Sequence, residues 1–235
     1  MVGKKRTNNR LSSGKGSSSG NGANRVADSG PDFSFENEAL VEYGGCVAGT
    51  DEAGRGPWAG PVVAGAVILN PDDLPEGLND SKKLTEQKRE LLFEQMQEMA
   101  RSERLYIGVG VADVARIDRD NILQASLWAM SEAVAQLKVV PACVLVDGNK
   151  CPPLPMPART LVKGDGRSLS IAAASIVAKV TRDRMMVELG EAFPSYNWAS
   201  NKGYGTKAHI DALEADGVTE HHRCSFRPIK QLLLR

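Results

Sequence analysis

The amino-acid sequence predicts an α/β fold: a mixed sheet of five strands flanked by helices, with a small helical part towards the C-terminus. Short apolar runs alternate along the chain with longer segments of helical periodicity, and this alternation is typical of the class. The early apolar runs are joined by short links, which favours antiparallel pairing. The later runs are reached through helices, which favours parallel pairing within the same sheet.

The predicted strands are apolar segments bounded by turn residues. Their content of Val, Ile and Leu is typical of strands that are buried in a sheet. They cover residues 46–51, 62–69, 105–111, 142–146 and 159–162. In open sheets of this kind ligands bind at the carboxyl ends of the strands, so the residues that follow these segments are the first candidates for a functional site.

The predicted helices carry apolar residues three and four positions apart. Thr85 can cap the first of them, because its hydroxyl can accept from the exposed amides of the first turn. A later helix is rich in Ala and Ser, so that it can approach a neighbouring element closely. The predicted helices cover residues 85–100, 119–137, 169–193, 206–215 and 228–234.

Residues 1–43 are predicted to be a disordered tail, and residues 44–235 a single folded domain. The tail is rich in Ser, Gly and Asn, so it has too little apolar surface to offset the entropy cost of ordering. Between Met1 and Arg25 it carries basic residues and no acid, although the net charge of the whole chain is zero. Such a tail could contact nucleic acid without sequence preference.

The composition argues against a membrane or secreted protein. No apolar run reaches the roughly 18 residues that a membrane-spanning helix needs. The first residues lack the apolar region of a secretory signal. The four cysteines show no metal-ligand spacing and are expected to be reduced thiols. We therefore expect a cytoplasmic protein without a membrane partner.

Acidic residues follow three of the predicted strands. Asp51 and Glu52 end the first strand, Asp147 follows the fourth, and Asp165 follows the fifth. If these strands are neighbours, four carboxylates meet at one edge of the sheet, where their repulsion needs a compensating charge. Oxygen ligands of this kind select Mg²⁺ or Mn²⁺, and two such ions can promote phosphoryl displacement. Asp147 and Asp165 each precede a glycine, so either one alone could be an ordinary turn residue.

Two segments offer groups that bind phosphate. Gly54, Arg55 and Gly56 directly follow the first acid pair and could form a nest of backbone amides beside a guanidinium. Ser81 and Lys82 precede the first long helix and offer a hydroxyl and an ammonium group to a nucleic-acid backbone. The alternative for this second segment is a simple helix-entry loop.

Three further features are weaker signals. Tyr204 lies between two glycines and could stack on a base or a sugar, or it could only cover the core. Lys163 could contact phosphate or merely neutralise Asp165. His209, His221 and His222 are expected to be structural rather than catalytic.

Taken together, these motifs resemble the ribonuclease HII family, the bacterial type 2 ribonucleases H. The matching segments occur in family order and cover essentially the whole predicted domain. They are GTDEAGRGPWAGPVVAGAVIL, NDSKKLT, NILQASLWAM, VDGN, VKGD, SIAAASIVAKVTRDRMM, KGYGTKAHIDAL and HRCSFRPIK.

The resemblance implies a ribonuclease H-like fold and a function. The function is hydrolysis of the RNA strand of RNA–DNA hybrids, and cleavage 5′ to single ribonucleotides embedded in duplex DNA, leaving a 3′-hydroxyl and a 5′-phosphate. Two Mg²⁺ or Mn²⁺ ions would take part. The cellular roles it implies are ribonucleotide excision repair and primer removal.

The resemblance also implies roles for individual residues. Asp51, Glu52, Asp147 and Asp165 match the metal-binding acids. The turn from Gly54 to Gly56 matches the motif that reads the 2′-hydroxyl and the adjoining phosphate. Tyr204 matches the tyrosine that stacks under the following deoxyribose, and Ser81 and Lys82 match a segment near the substrate backbone.

The expected partners are RNA–DNA hybrid and ribonucleotide-containing duplex DNA, bound by a monomer, and we identify no clear clamp-binding peptide. Two alternatives share part of the pattern. A resolvase or transposase core would also place acids at strand ends, but it would give the Gly-Arg-Gly turn and Tyr204 no purpose. A non-catalytic hybrid-binding module would be expected to lack some of the acids, and all four are present.

Overall fold

Five apolar segments form one mixed sheet in the computed structural model, which describes residues 1–3 and 30–234. The strands lie in the order β3-β2-β1-β4-β5. β1 is central: it pairs antiparallel with β2 and parallel with β4, while β3 pairs antiparallel with β2 and β5 parallel with β4. The predicted α/β class and its mixed sheet are thus confirmed. The strands are β1 (Val47–Ala53), β2 (Val62–Ile68), β3 (Tyr106–Ala112), β4 (Cys143–Asp147) and β5 (Ala158–Leu161).

One face of the sheet is covered by α2 (Glu86–Arg101) and by the long α5 (Leu169–Ala192). Thr85 caps α2 as predicted, because its hydroxyl accepts from an amide of the first turn. The small residues of α5 allow very close packing: a Cβ on Gly49 of β1 would lie 2.2 Å from the backbone of Ser170. This close approach fixes α5 against the strand that carries the acid pair.

The opposite face is covered by two helices where the sequence predicted one long helix over residues 119–137. They are α3 (Val114–Asp120) and α4 (Ile122–Ala135). Asn121 separates them with a left-handed φ of 68°, and its side-chain oxygen accepts from two amides at the beginning of α4. Asn tolerates this conformation and caps helices well, so the apolar periodicity continues across a break in the backbone.

The predicted limit of the tail is wrong. A helix that the sequence analysis missed, α1 (Ser34–Tyr43), packs on β1 and β4, so the ordered part begins about ten residues before residue 44. Ala39 and Glu36 are completely buried, and the carboxylate of Glu36 is accommodated because it accepts hydrogen bonds at the beginning of α5. The disorder predicted for residues 4–29 lies outside the described residues.

The C-terminal part is helical, as predicted. It contains α6 (Trp198–Asn201), α7 (Lys207–Asp216) and α8 (Arg227–Leu233), which enclose a second core with the end of α5. The sequence did not predict α6 or three short 3₁₀ turns. Within residues 1–3 and 30–234, no helix is long and apolar enough to cross a membrane. The 3₁₀ turns are Ser81–Lys83, Gly164–Gly166 and Pro194–Tyr196.

Candidate active site

Four acids lie along one edge of the sheet because β1, β4 and β5 run parallel. Asp51 and Glu52 are near the carboxyl end of β1, and Asp147 is the last residue of β4. Asp165 lies in the 3₁₀ turn that follows β5. The register pairs Thr50 with Val146, so Asp51 and Asp147 occupy equivalent positions on adjacent strands.

Burial places a high electrostatic cost on these acids. Asp51 is only 5% exposed and Asp165 4%. Burial raises the pKa of Asp51 well above its usual value, and the neighbouring charges of Glu52 and Asp147 raise it further. The pKa values of Glu52 and Asp147 are also raised, chiefly by burial. The group is therefore one that requires positive charge when all its members are ionised.

Cations and amides satisfy part of this requirement. Lys82 donates to Asp165 over 2.9 Å, a hydrogen bond that raises the pKa of Lys82 to about 12. Arg55 donates to Glu52 over 3.1 Å. The amide of Gly164 donates to Asp147 over 2.7 Å. Two cationic side chains thus offset part of the negative charge of the four acids.

The donor set fits hard divalent ions by its chemistry, since carboxylate oxygens are the ligands that Mg²⁺ and Mn²⁺ prefer. In the part of the chain that the structure describes, however, no three Asp, Glu, His or Cys side chains are arranged to hold one ion as they stand. Glu52 is instead paired with Arg55, and Asp165 with Lys82.

A cavity of about 410 Å³ lies over the acids and contains most of the predicted site. It brings together groups from the end of β1, the turn after it, the 3₁₀ turn before α2, the end of β4 and the loop before α7. Its lining includes the following residues of the predicted set: Asp51, Glu52, Gly54, Arg55, Gly56, Ser81, Lys82, Asp147 and Tyr204.

Two predicted residues do not line this cavity. Asp165 joins the site through its hydrogen bond to Lys82, and its charge also acts on Asp51. Lys163 is exposed and has a left-handed φ of 57° at the beginning of the turn that carries Asp165. The structure gives Lys163 a conformational role in that turn and does not bring it to the predicted phosphate-binding groups.

Two buried arginines that the sequence analysis missed hold the turn after β1. Arg223 donates to the carbonyls of Gly54 (2.7 Å), Arg55 (3.2 Å), Gly60 (2.9 Å) and Pro61 (3.0 Å). It is 0% exposed. Because these carbonyls are turned towards the interior, the guanidinium fixes the backbone of the Gly-Arg-Gly turn from behind.

Arg182 on α5 packs against Gly54, binds the segment that follows the turn, and also lines the cavity. It donates to the carbonyls of Ala59 (3.2 Å), Pro61 (2.9 Å) and Lys202 (3.1 Å). A Cβ on Gly54 would lie 2.0 Å from its Nε, so only glycine fits there. The sequence signal for Arg182 was a charged residue within an apolar, small-residue helix, which in a buried helix indicates a specific polar partner.

Tyr204 lies against the Gly-Arg-Gly turn. Its side chain is half exposed, and a Cβ on Gly56 would lie 3.3 Å from the tyrosine ring. The predicted phosphate nest and the predicted stacking residue therefore form one continuous surface at the mouth of the cavity. The three histidines do not line this cavity; His209 and His222 are buried in the C-terminal core.

Comparisons with known proteins identify a family of similar chains. The family model described as Ribonuclease HII matches residues 48–229. The chain is similar to ribonuclease HII of Agrobacterium fabrum, with 55% identity over 88% of this chain and 93% of the relative. It is also similar to ribonuclease HII of Magnetococcus marinus, with 54% identity over 88% of this chain and 97% of the relative.

Solved structures show the same fold. The ribonuclease H2 of Pyrococcus horikoshii matches with a TM-score of 0.67 and 25% identity, over 80% of this chain and 97% of that one. The ribonuclease HII of Archaeoglobus fulgidus, solved in a complex with PCNA, matches with a TM-score of 0.65 and 25% identity, over 77% of this chain and 95% of that one.

Proposed function

Because the chain belongs to the ribonuclease HII family, endoribonucleases that degrade the RNA of RNA–DNA hybrids, we propose that it also cuts duplex DNA at single embedded ribonucleotides. The cut would fall on the 5′ side of the ribonucleotide and leave a 3′-hydroxyl and a 5′-phosphate. The observation that carries this proposal is the contact between Tyr204 and the Gly-Arg-Gly turn at the mouth of the acidic cavity.

The Gly-Arg-Gly turn would recognise the ribonucleotide through its 2′-hydroxyl, the group that distinguishes RNA from DNA. Arg182 and Arg223 bind the carbonyl groups around this turn from the interior. The opposite side of the turn, where Arg55 is half exposed, would then face the substrate. It would contact the minor groove of the duplex and the phosphate next to the ribonucleotide.

Tyr204 would read the next nucleotide along the strand. A ring that packs closely against a sugar favours deoxyribose, since the 2′-hydroxyl of a ribose would collide with it. The two elements together select a step from ribose to deoxyribose rather than a base sequence, and their contact at Gly56 sets the distance between them.

Asp51, Glu52, Asp147 and Asp165 would hold two divalent ions, Mg²⁺ or Mn²⁺. Such ions activate water and stabilise the leaving oxygen in phosphoryl displacement. The chain's own cations would then change partners: Lys82, whose side chain is 78% exposed, can turn from Asp165 to a substrate phosphate, and Arg55 can do the same from Glu52. The acids would be freed for the metal as the backbone of the substrate is bound.

The test is cleavage of a duplex with one ribonucleotide by the wild-type chain and by Asp51→Asn, with Mg²⁺ and with Mn²⁺. We expect a single cut 5′ to the ribonucleotide by the wild type, and a loss of at least a hundredfold in the variant. Asp72→Asn is the matched control, because Asp72 is exposed and outside the cavity. Full cleavage by Asp51→Asn would disprove the assignment.

An all-DNA four-way junction and a uniform RNA–DNA hybrid complete the substrate set. Cutting of the junction without any ribonucleotide would favour the resolvase-type alternative. Binding of the hybrid without turnover in either metal would favour the non-catalytic alternative.

The cellular setting is part of the proposal. Cleavage at embedded ribonucleotides would serve excision repair and primer removal in the cytoplasm, with the protein acting as a monomer. The Archaeoglobus fulgidus relative was solved with PCNA. For this chain we identify no clear clamp-binding peptide, so we propose that it acts without a replication clamp. Sedimentation of the full chain, alone and with a replication clamp, tests both statements.

A further inference from the structure

Two buried histidines in the C-terminal core have no role in the function proposed above. His209 on α7 and His222 are 0% and 1% exposed, and their Nε2 atoms lie 3.0 Å apart. Trp198 and Tyr196 pack around them with ring centroids 4.9 to 6.0 Å apart. Such a pair in an aromatic core is satisfied only if each nitrogen faces the correct donor or acceptor.

The neighbouring groups determine where the protons lie. The amide of Thr219 donates to Nδ1 of His222 over 3.0 Å, so His222 must carry its proton on Nε2. The indole N–H of Trp198 donates to Nε2 of His209 over 3.2 Å, and the Nε2–H of His222 points at the same atom. His209 must therefore carry its proton on Nδ1.

The remaining proton faces the loop that carries Tyr204. Nδ1–H of His209 donates to the carbonyl of Tyr204 over 3.0 Å. The hydrogen bonds therefore run in one direction, from Thr219 through His222 and His209 to that carbonyl. Only this arrangement of protons gives every donor in the chain of bonds an acceptor. Nε2 of His209 is then shared by the donors of Trp198 and His222.

The Tyr204 loop is restricted on its other side as well. A Cβ on Gly203 would lie 2.5 Å from the carbonyl oxygen of Ala59, and a Cβ on Gly205 2.2 Å from the ring of Trp58. The amide of Tyr204 donates to Asn201 over 2.9 Å. The loop is thus fitted against the segment after β1, and His209 fixes the carbonyl in its middle.

We propose that His209 and His222 are positioning residues for Tyr204, and that their hydrogen-bond relay sets the preference for a ribose-to-deoxyribose step. The inference rests on the proposed function, in which the Tyr204 ring packs on the deoxyribose. A loop freed from His209 would let the ring shift relative to Gly56, and a displacement of about 1 Å is enough to weaken a positioned contact severely. The metal site is formed by other elements and keeps its residues.

The experiment compares kcat/KM on a duplex with one ribonucleotide and on a uniform RNA–DNA hybrid. The ratio of the two values is the step preference. His209→Ala should lower this ratio about tenfold. His209→Asn should restore most of it, because an Asn amide can occupy the position of Nδ1 and donate to the Tyr204 carbonyl. His221→Ala is the matched control, since His221 belongs to the same cluster but has no bond to the loop.

A second background separates positioning from general stability. In Tyr204→Ala the ring is absent, so adding His209→Ala should leave the ratio unchanged. If His209→Ala lowers the ratio equally in both backgrounds, the histidines act structurally and the inference is overturned. A wild type without any step preference would instead overturn the proposed function.

Spectroscopy of the wild type gives a test that does not depend on a folded variant. Side-chain ¹⁵N shifts should show His209 protonated on Nδ1 and His222 on Nε2 at neutral pH, both unchanged on addition of Mg²⁺. The opposite tautomer of His209 would remove the bond to Tyr204 and overturn the inference.

Discussion

Arg223 binds four backbone carbonyls and no carboxylate, which is unusual for a completely buried cation. Burial lowers its pKa to about 9, and the nearby Arg182, whose own pKa is lowered to about 10, contributes to the shift. The two guanidiniums concentrate positive charge behind the turn that we propose to read a phosphate. They therefore combine a bracing role with an electrostatic one.

We expect Arg223→Lys to destabilise the chain by about 2–4 kcal/mol, because one ammonium group cannot reach the four carbonyls that the guanidinium binds. Substrate affinity should fall with stability, since the Gly54 turn loses its support. Denaturant unfolding and KM for the single-ribonucleotide duplex measure the two effects. Arg227→Lys, on the exposed surface of α8, should change neither; equal effects in both variants would contradict the argument.

His222 should make the fold sensitive to acid. Burial, together with the smaller effects of the neighbouring His209 and His221, lowers its pKa to about 4. In the unfolded chain the pKa of His222 is about 6.5. Between pH 6.5 and pH 4 the unfolded state therefore binds a proton at this residue, whereas the folded state does not. The stability contributed by neutral His222 is complete above pH 6.5 and decreases as the pH falls towards 4.

We therefore expect the free energy of unfolding to fall by roughly 1–2 kcal/mol between pH 6.5 and pH 5 through this residue. The raised pKa of Asp51 acts in the opposite direction, because it favours proton uptake by the folded state. The comparison of wild type with His222→Gln, each unfolded across this range, isolates the histidine. Identical pH dependence in the two proteins would refute the prediction.

At the scale of elements, α1 shows how a segment outside the family match supports the site. Glu36 accepts from the Ser168 hydroxyl over 2.6 Å and from the Ser170 amide over 2.8 Å, at the beginning of α5. The backbone of Asp32 exchanges two further hydrogen bonds with residues 167 and 169. These contacts hold the segment that directly follows Asp165.

Replacing Glu36 by Ala should cost about 2–4 kcal/mol, since two donors at a buried helix end lose their acceptor. Glu38→Ala is the control on the same helix, because its ion pair with Arg159 is exposed and is worth at most about 1 kcal/mol. Thermal unfolding of both variants checks the difference. A similar loss in each would mean that α1 contributes only through its apolar face.

The sequence predicted the strands well and the helices less well, for a physical reason. Buried strands are continuous apolar runs, and all five were found. The periodicity across Asn121 is that of one helix, whereas the left-handed residue that divides it leaves no apolar signal. α1 buries Glu36. Sequence reasoning places a glutamate on the surface unless the groups that bind it are already known.

At the scale of the whole molecule, the acidic cavity should make the fold less stable than it need be. Four acids, three of them with pKa values raised by burial, repel one another in the absence of a metal ion. We expect Asp51→Asn to raise the free energy of unfolding by about 1 kcal/mol without metal, or roughly 2–4 °C in Tm. Calorimetry of both proteins in EDTA tests this expectation.

Added Mn²⁺ should reverse the order of stability. An ion that binds only the folded state stabilises the wild type by mass action, and Asp51→Asn should lose most of this gain. Titration of Tm with Mn²⁺ gives the comparison, with Asp72→Asn expected to follow the wild type. An Asp51→Asn variant that gained as much as the wild type would exclude Asp51 as a ligand.

The candidate site was predictable where it depends on residue type and strand position, as for the four acids, the Gly-Arg-Gly turn and Tyr204. Its supporting residues were not. Arg223 binds the turn and Arg182 binds the segment after it, both from positions far along the chain. Their partners are backbone carbonyls, which have no sequence signature. Long-range bonds to the main chain become visible only when the fold is known.

The sequence separation of 169 positions from Gly54 to Arg223 also matters for how the protein is made. A ribosome that has translated residue 200 has incorporated all four acids of the candidate site, but neither Arg223 nor His209, which contacts the Tyr204 loop. The four acids of the candidate site are thus synthesised before the groups that hold the Gly-Arg-Gly turn and the Tyr204 loop. If the chain has the function proposed above, its selectivity between nucleic acids would depend on residues that are translated after all four of these acids.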